Sequence, residues 1–507
     1  MLEITKMNLV QIYSDQVSLE KDIRKIKSIV NFIENDTNQI SDKISYYIKN
    51  IQKFEKLYNR ILFYFSVALN NNSTNRILRT KLNEVLSLGK VIKFFQYSVI
   101  KKELLENSLF TSNTFNFSQL MHIHLNFIKD TENLNPSKEL MLLTVDARTH
   151  IKNCDFNNEG QIGKLERLLK NIKTEQLLLL NDEEKIQAPE TFLKYLGLNQ
   201  NIVETLTEII LENKLYIQNI IRNYSNFSQI FTVPSTQSLS QRALKNNIKK
   251  IFHSLAPEFL PVLTHFFQHD YIEFQHTEIS QGWHIGCPSL KQSRIFLSLQ
   301  KTIVDIFNLS HELGHAYGSY LQGKHHCYSV NLITIEFGAI FCELYSYFWY
   351  IKNYPQLQTE IRKFLTIQLL KYMYVPIEQY FFEKNLFNFI KENKTAFSPK
   401  KIMKDTIEKI YGSTAASFPD IDLRHIKTPQ YFSTSPFYSL SYLFAFFAAY
   451  YSIKQLEHTP KFKNTIKSVL SNLGYLTFPQ MYKMLGIDIN SPAFYRSIIA
   501  KITNELR

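Results

Sequence analysis

A histidine–glutamate–histidine group is the part of the sequence best suited to metal chemistry. His311, Glu312 and His315 form an HExxH motif inside a run that predicts a helix. Because a helix turns by about 100° per residue, side chains four residues apart lie only about 40° apart and can bind one ion. Two neutral imidazoles suit zinc, and the glutamate between them can take a proton from a water molecule beside the metal.

A catalytic zinc takes three protein ligands, so a third ligand must be found. The longer motif HExxHxxGxxH is matched at Gly318 but not at its last position, which is Leu321. His325 and His326 lie in a polar loop ten or more residues beyond His315, and histidines in such a loop are more often exposed to solvent. A carboxylate on a following helix is the other candidate for the third ligand.

Two glutamates on the next predicted helix could complete the site. Glu336 lies 25 residues after His311, and a short connection between two antiparallel helices could bring it alongside the histidines. Glu343 lies about two helical turns further on, so both carboxylates share one face. We expect Glu336 to bind the metal and Glu343 to accept a hydrogen bond from the second ring nitrogen of a ligating histidine.

The elements that must position this group are a strand, a turn and a helix. Residues 294–299 are rich in strand-forming types, and a helical run extends from Ile303 to about Leu321. Apolar residues also recur at helical spacing in other parts of the chain, at 16–105, 117–135, 162–180, 200–225 and 240–253. The polar stretch before Pro189 predicts a boundary between an N-terminal helical lobe, 1–188, and a catalytic metal-binding domain, 189–507.

Composition favours a large and mostly helical protein. The 507 residues include 13 glycines and 15 prolines, about half of the usual share, and 45% are hydrophobic. Four cysteines without a CxxC pair argue against a disulfide scaffold. The net charge of +13 comes without an arginine-rich run or zinc-finger spacing, so we assign it to the helix surfaces. Neither a signal peptide nor a membrane span is evident, which predicts a soluble cytoplasmic protein.

Three segments together resemble the zinc oligopeptidases of the oligoendopeptidase F and thimet oligopeptidase family. Residues 294–316, RIFLSLQKTIVDIFNLSHELGHA, resemble the family's strand, turn and HELGHA helix. Residues 336–339, EFGA, resemble its glutamate box, and Glu343 falls where the family has a second glutamate. Residues 432–442, FSTSPFYSLSY, resemble its tyrosine-rich box. The order of the segments matches over most of the chain, whereas the N-terminal third matches only in its helical character.

The resemblance implies a mainly α-helical, two-lobed metallopeptidase with a deep substrate channel and one zinc ion per chain. A small β-sheet would lie beside the HExxH helix. The resemblance places the predicted strand at the edge of that sheet, where Phe296, Leu297 and Ser298 would pair with a substrate backbone. Tyr438 and Tyr442 would donate hydrogen bonds to the oxyanion formed during cleavage.

The sequence departs from the family pattern at positions that affect substrate handling. Tyr431 stands where the family has a histidine that binds substrate or stabilises the oxyanion, and a tyrosine cannot become cationic near neutral pH. His425 could replace that histidine if the alignment is shifted. Leu440 replaces the middle tyrosine of the box, and Ala339 replaces a small serine. The metal ligands are unaffected by these departures.

These observations predict a zinc-dependent endopeptidase that hydrolyses short unfolded peptides, with Glu312 as the general base. The main alternative is a catalytically weakened homologue that binds zinc and peptides or acts as a scaffold, and Tyr431 and Leu440 motivate it. A basic helical nucleic-acid binder is a second alternative. A gluzincin aminopeptidase would need a Gly-x-Met-Glu-Asn stretch before the HExxH motif, and the sequence has none. We expect short peptide substrates, no nucleic-acid or membrane partner, and a monomer or weak homo-oligomer.

Overall fold

The described part of the chain covers both predicted metal-binding segments. In the computed structural model it comprises Tyr13, residues 16–35, parts of 50–88 and most of 138–506. Its gaps beyond residue 138 are 153, 181, 225, 228–237, 276–281, 288–291, 323–333, 393–397, 434 and 474–475. The predicted helix at 117–135 and the loop histidines His325 and His326 lie outside the described residues.

Helices dominate the described residues, as the scarcity of glycine and proline predicts. The α-helices are α1 (Gln16–Asn35), α2 (Lys138–Lys152), α3 (Glu159–Leu178), α4 (Asp182–Ile186), α5 (Ala188–Tyr195), α6 (Gln200–Leu211), α7 (Lys214–Ile221), α8 (Gln241–Leu255), α9 (Leu260–Gln268), α10 (Val304–Gln322), α11 (Ile335–Asn353), α12 (Gln358–Leu369), α13 (Val375–Lys391), α14 (Pro399–Tyr411), α15 (Ser413–Ala416), α16 (Arg424–Lys427), α17 (Leu440–His458), α18 (Phe462–Asn472), α19 (Phe478–Met484) and α20 (Pro492–Leu506). Short 3₁₀ turns occupy Pro257–Phe259, Pro355–Leu357, Pro419–Leu423 and Pro429–Phe432, and a π-helical turn occupies Leu370–Tyr374.

Some helices bury one face only, whereas others are buried on most sides. Helix α8 is amphipathic: the Ser240 side chain caps its N-terminus, and Leu244, Ile248 and Ile251 recur at helical spacing on its buried face. Helices α10, α11 and α17 are instead buried on most of their surface. None of the described helices is long and apolar enough to cross a membrane. The predicted metal-binding and tyrosine-rich segments lie on or beside these three deeply buried helices.

A three-stranded sheet contains the strand predicted to bind substrate. The strands are β1 (Ile272–Gln275), β2 (Gly282–Cys287) and β3 (Gln292–Ser298), in the spatial order β1-β3-β2. Strand β3 is parallel to β1 and antiparallel to β2, so its residues 295–297 have a neighbouring strand on each side. The edge position expected for Phe296, Leu297 and Ser298 is therefore wrong: Phe296 and Leu297 are paired on both sides, and Ser298 pairs with β1. An unbroken buried run suits a central strand.

The chain divides into two compact units. The first consists of residues 1–129, 235–331 and 470–475, and within its described part it contains the sheet and α10. A hydrophobic core in this unit includes Ile26, Ile61 and Phe296. The second consists of residues 130–234, 332–469 and 476–507, and it contains α11, α13 and α17. The domain boundary suggested at residue 188 stays a prediction. The mainly α-helical class with a small sheet beside the HExxH helix is confirmed.

Candidate metal centre

The turn between β3 and α10 determines where the HExxH helix begins. Lys301 adopts a positive φ of 58°. The buried Asp305 carboxylate accepts hydrogen bonds from the backbone N–H groups of Gln300, at 2.9 Å, and Thr302, at 3.2 Å. A carboxylate in the first turn also interacts favourably with the helix dipole. Helix α10 then begins at Val304, within one residue of the predicted start.

The side chains of the HExxH motif have the relation that helical spacing predicts. The imidazoles of His311 and His315 are partly exposed, and their ring centroids lie 5.2 Å apart. Glu312 between them is buried. Glu336, in the first turn of α11, is the third member of the group: one ligand atom each from His311, His315 and Glu336 lies within 4.8 Å of the others.

Strand β2 packs its glycine-bearing face directly on α10. An added Cβ at Gly282 would lie 2.8 Å from Oε1 of Glu312 and 2.9 Å from its Cγ. An added Cβ at Gly286 would lie 2.7 Å from Oγ of Ser319. Both distances are shorter than real Cβ contacts, so the absence of side chains at these two positions makes room for the helix. The side chain of Glu312, the candidate general base, thus packs against the backbone of Gly282 in β2.

His284 occupies the same face of β2, between the two glycines. Its ring lies nearly parallel to that of His315, with the centroids 5.7 Å apart, and its Nε2 lies 2.8 Å from Oγ of Ser293. Burial, and then the neighbouring His315, lower the pKa of His284 well below its ordinary value. We did not predict His284 from the sequence. The alternation of glycine and histidine in Gly282-Trp283-His284-Ile285-Gly286 is the signal that could have identified it.

Glu336 has a tyrosine from the predicted tyrosine-rich box beside it. The hydroxyl of Tyr438 donates to Oε1 of Glu336 at 2.8 Å. Burial, and then the negative charge of Glu336, raise the pKa of Tyr438 well above its ordinary value, so its hydroxyl remains protonated and able to donate. Tyr442 packs edge-on against Tyr438, with the ring centroids 5.7 Å apart. The structure thus brings together Glu336 and both predicted tyrosines.

Glu343 is buried and accepts two tyrosine hydrogen bonds. The hydroxyl of Tyr347 donates to its Oε1 at 3.1 Å, and that of Tyr372 donates to its Oε2 at 2.6 Å. Burial and then Glu343 raise the pKa of both tyrosines, which therefore stay neutral donors. Tyr372 lies in the π-helical turn, a local irregularity that often marks functional sites. No sequence pattern pointed to Tyr372, and the expected contact of Glu343 with a histidine stays a prediction.

The remaining substrate-binding candidates are less favourably placed. Phe296 of β3 stacks on Trp283 of β2, with centroids 4.1 Å apart, so its side chain is committed to packing within the sheet. Tyr431 is fully buried, and its ring packs on Phe382 at 4.6 Å. The alternative residue His425 is also buried, with Nε2 at 2.8 Å from a carboxylate oxygen of Glu166. A substrate role for Tyr431 stays a prediction.

The residues present fit a metal ion by the chemistry of their donor set. Two imidazoles and one carboxylate are the set that catalytic zinc sites of the His₂Glu type use. The three donor atoms are close enough to share one ion, and the buried Glu336 lies beside a hydrogen-bond donor that can orient its carboxylate. The group can therefore hold a metal, with zinc as the expected ion.

Known proteins provide an independent comparison. No model of a known protein family matches the sequence. The chain is 22% identical over 369 residues to the oligoendopeptidase F homolog of Mycoplasma genitalium. The match covers 68% of this chain and 56% of that protein, so the chain spans just over half the length of its curated relative.

Solved structures extend the comparison over nearly the whole chain. One is PZ peptidase A with inhibitor 2, which has a TM-score of 0.67 at 14% identity and 96% and 97% coverage of this chain and that one. Another is oligoendopeptidase-F from Enterococcus faecium, with a TM-score of 0.58 at 13% identity and 97% and 98% coverage. At such identities the likeness shows the fold. The resemblance to the oligoendopeptidase F family that the three sequence segments predicted is therefore confirmed, by a sequence relative and by a shared fold.

Proposed function

We propose that the protein is a zinc-dependent endopeptidase that hydrolyses short unfolded peptides. The observation that carries the proposal is the grouping of His311, His315 and Glu336, whose donor atoms lie within 4.8 Å of one another. The HExxH motif that supplies the two histidines also supplies Glu312. The similarity to proteins named oligoendopeptidase F supports the reaction class. We expect one zinc ion per chain, held by these three residues.

In this proposal each residue of the site has a separate role in peptide hydrolysis. A zinc ion in this site would supply Lewis-acid polarisation of the scissile carbonyl and of the attacking water. Glu312 accepts the proton of that water and passes it to the leaving amine. Its burial against Gly282 keeps the carboxylate in a fixed place, which a proton carrier needs if it is to reach both atoms.

Tyr438 and Tyr442 are proposed as donors to the oxyanion. A single positioned donor of this kind typically contributes about 3 kcal/mol to an acyl-transfer transition state. Tyr438 is suited to the task because its raised pKa keeps the hydroxyl protonated. Its one proton is donated to Glu336 in this structure and would turn to the oxyanion during cleavage. Glu343 supports the same region by holding Tyr372, whose ring stacks near that of Tyr442 with centroids 6.2 Å apart.

The outer edge of β2 replaces β3 as the proposed site of backbone pairing with substrate. Among the described residues β2 pairs with β3 alone, so its other side offers unpaired N–H and C=O groups. An extended peptide added there would lie beside the strand whose Gly282 touches Glu312. Backbone pairing of this kind is largely indifferent to side chains, which agrees with a broad range of peptides.

The proposal is tested with internally quenched peptides of about ten residues. Wild-type protein should cleave them, a chelator should stop cleavage, and added zinc should restore it. Glu312→Gln should abolish hydrolysis while zinc content stays near one per chain, and the exposed Glu183→Gln serves as a matched control that keeps full activity. Full activity of Glu312→Gln would falsify the assignment of the base. Stoichiometric zinc and peptide binding without cleavage by the wild type would instead support the weakened homologue.

The zinc content of two variants shows which glutamate, Glu336 or Glu343, is the metal ligand. Glu336→Ala should lose zinc, whereas Glu343→Ala should retain it. The opposite result would show that Glu343 is the ligand. Cytoplasmic residence, a monomeric or weakly associated state and the absence of a nucleic-acid partner complete the proposal. Fractionation of cells, sedimentation of the purified protein and a salt-dependent binding assay would check them.

A further inference from the structure

The segment just before α17 contains a residue in an unfavourable backbone conformation. Phe437 has a φ of 56°, in the left-handed region that bulky side chains rarely adopt. It is fully buried, and its ring packs against Tyr380 and Phe387, with centroids 5.2 Å and 5.8 Å away. Its carbonyl accepts the N–H of Leu440 at 3.0 Å. Such strain persists only where the surroundings impose it, and it occurs here one residue before Tyr438.

A buried ion pair contacts the backbone of this residue. Lys173 of α3 donates through Nζ to Oε1 of Glu383 on α13, and both side chains are buried. The other oxygen, Oε2 of Glu383, accepts the backbone N–H of Phe437 at 3.0 Å. Helix α3 also supplies Gln176, whose Nε2 donates to the carbonyl of Ser433 at 2.9 Å. Two helices therefore hold both ends of residues 433–437.

The ion pair supplies a hydrogen-bond acceptor, which an apolar pair could not do. Burying two charges costs desolvation, and apolar residues of similar volume are often at least as stabilising. A carboxylate, however, can accept a main-chain N–H that would otherwise be buried without a partner. Burial raises the pKa of Glu383, whereas the charge of Lys173 and the Phe437 N–H lower it, so Lys173 favours the charged acceptor.

We propose that Lys173 and Glu383 are positioning residues for Tyr438. By holding Phe437 in its left-handed conformation, they place the Tyr438 hydroxyl 2.8 Å from Oε1 of Glu336. This inference rests on the proposed function, because Tyr438 affects catalysis only if Glu336 belongs to the metal site. Lys173 and Glu383 lie 210 residues apart in the sequence and meet at one backbone group of the tyrosine-rich box.

A double-mutant cycle on peptide cleavage tests the proposal. Tyr438→Phe should lower kcat by about 100-fold, the loss typical of removing one positioned donor. Glu383→Ala should lower kcat to a similar extent with KM little changed. In the Tyr438→Phe background, Glu383→Ala should have less than about a twofold further effect, because both changes act through one hydroxyl. Full kcat in Glu383→Ala, or a loss that multiplies with that of Tyr438→Phe, would overturn the proposal.

Two further variants separate positioning from folding. Lys173→Met with Glu383→Gln keeps an amide oxygen that can accept the Phe437 N–H and leaves no unpaired charge, so it should recover most of the wild-type kcat. It also keeps the test valid if Glu383→Ala fails to fold. Tyr495→Phe removes a buried hydrogen bond to the Ile489 carbonyl, and it should lower thermal stability with kcat unchanged. Low kcat in the folded double variant would refute the role of the acceptor.

Cobalt substitution gives a readout that does not depend on peptide cleavage. The visible absorption of bound Co²⁺ reports on its ligands, so Tyr438→Phe should shift it by altering the carboxylate of Glu336. Glu383→Ala should reproduce that shift, and the combined variant should add nothing to it. If the wild type binds Co²⁺ and shows this pattern but cleaves no peptide, the proposed function fails and the positioning role stands. An unshifted spectrum in Glu383→Ala refutes the positioning role whatever the activity.

Discussion

Gly282→Ala is the smallest change that tests whether β2 holds the proposed catalytic base, Glu312, in place. The new methyl group would lie 2.8 Å from Oε1 and 2.9 Å from Cγ of Glu312. The backbone of Gly282 lies in a strand and has no positive φ, so alanine is allowed there and the fold should survive. The clash therefore acts on the Glu312 side chain. Its buried position restricts alternative rotamers.

The size of the effect follows from how far the carboxylate must move. Ordinary Cβ contacts begin near 3.4 Å, so Glu312 would have to retreat by about 0.6 Å to relieve the contact fully, or rotate away from the strand. A misplacement of about 1 Å can cost about 100-fold in rate. We therefore expect kcat to fall by about 10-fold to 100-fold, or about 1.4 to 2.7 kcal/mol in activation free energy. His311, His315 and Glu336 are not touched, so zinc content should stay near one per chain.

Gly318→Ala is the matched control for this experiment. It adds the same methyl group to α10 itself, but the nearest atom, Cδ1 of Leu473, would be 3.8 Å away, an ordinary contact. Because alanine is favoured over glycine in a helix by about 1 kcal/mol, this variant should be at least as stable and fully active. Both variants are assayed for cleavage of the quenched peptide and for zinc by atomic absorption.

Two results would contradict the reasoning about Gly282. Unchanged kcat in Gly282→Ala would mean that Glu312 is free to move and that β2 does not position it. Loss of zinc from Gly282→Ala would mean that the strand supports the metal ligands rather than the base. Equal losses in the 282 and 318 variants would show a general sensitivity of α10 to added volume.

Three other predictions concern the same two regions. Gly286→Ala, which would meet Ser319 Oγ at 2.7 Å, should lower the midpoint of thermal unfolding, and Ser319→Ala should restore part of the loss. Lys173→Met should cost about 3 to 5 kcal/mol at neutral pH in urea unfolding. Burial raises the folded-state pKa of Glu383 above its ordinary value, and this variant lacks the lysine charge that opposes the rise. The stability of Lys173→Met should therefore be greatest below the ordinary pKa of a glutamate and fall as pH rises toward the folded-state value, by up to about 1.36 kcal/mol per pH unit. Chelator should lower the thermal midpoint of the wild type but not that of His311→Ala, as scanning calorimetry would show.

The grouping of the candidate metal ligands was predictable because the signal for each of them is local. Helical periodicity alone places His311 and His315 on one face, and the observed α10 differs from the predicted helix by a single residue at each end. The position of Glu336 at the start of α11 also follows from helical pattern and spacing. The strand predicted at 294–299 is observed at Gln292–Ser298, because residue types that favour a strand are also a local signal.

The partners of these elements were not predictable in this way. An apolar strand does not specify its neighbours, and β1, only four residues long, lies more than twenty residues before its parallel partner β3. A lysine in a helix such as α3 ordinarily indicates a solvent-exposed position, yet Lys173 is fully buried against Glu383. A bulky aromatic residue argues against a left-handed backbone, yet Phe437 adopts one. In each case a contact between distant segments overrides the local preference.

The contact between β2 and α10 depends both on local patterns and on a contact between separate segments. The two-residue repeat of the strand meets the repeat of the helix at one surface. Alternation along the strand places Gly282, His284 and Gly286 on one face, over about 13 Å. The helix presents Glu312, His315 and Ser319 over about 10 Å. Because side chains are spaced differently along the strand and along the helix, those of β2 could not fit between those of α10 over the whole contact. A chain with only 13 glycines places two of them here, and the one side chain between them, His284, lies beside a proposed metal ligand. Glycine in this strand therefore allows the close approach of β2 to the HExxH helix and does not serve flexibility.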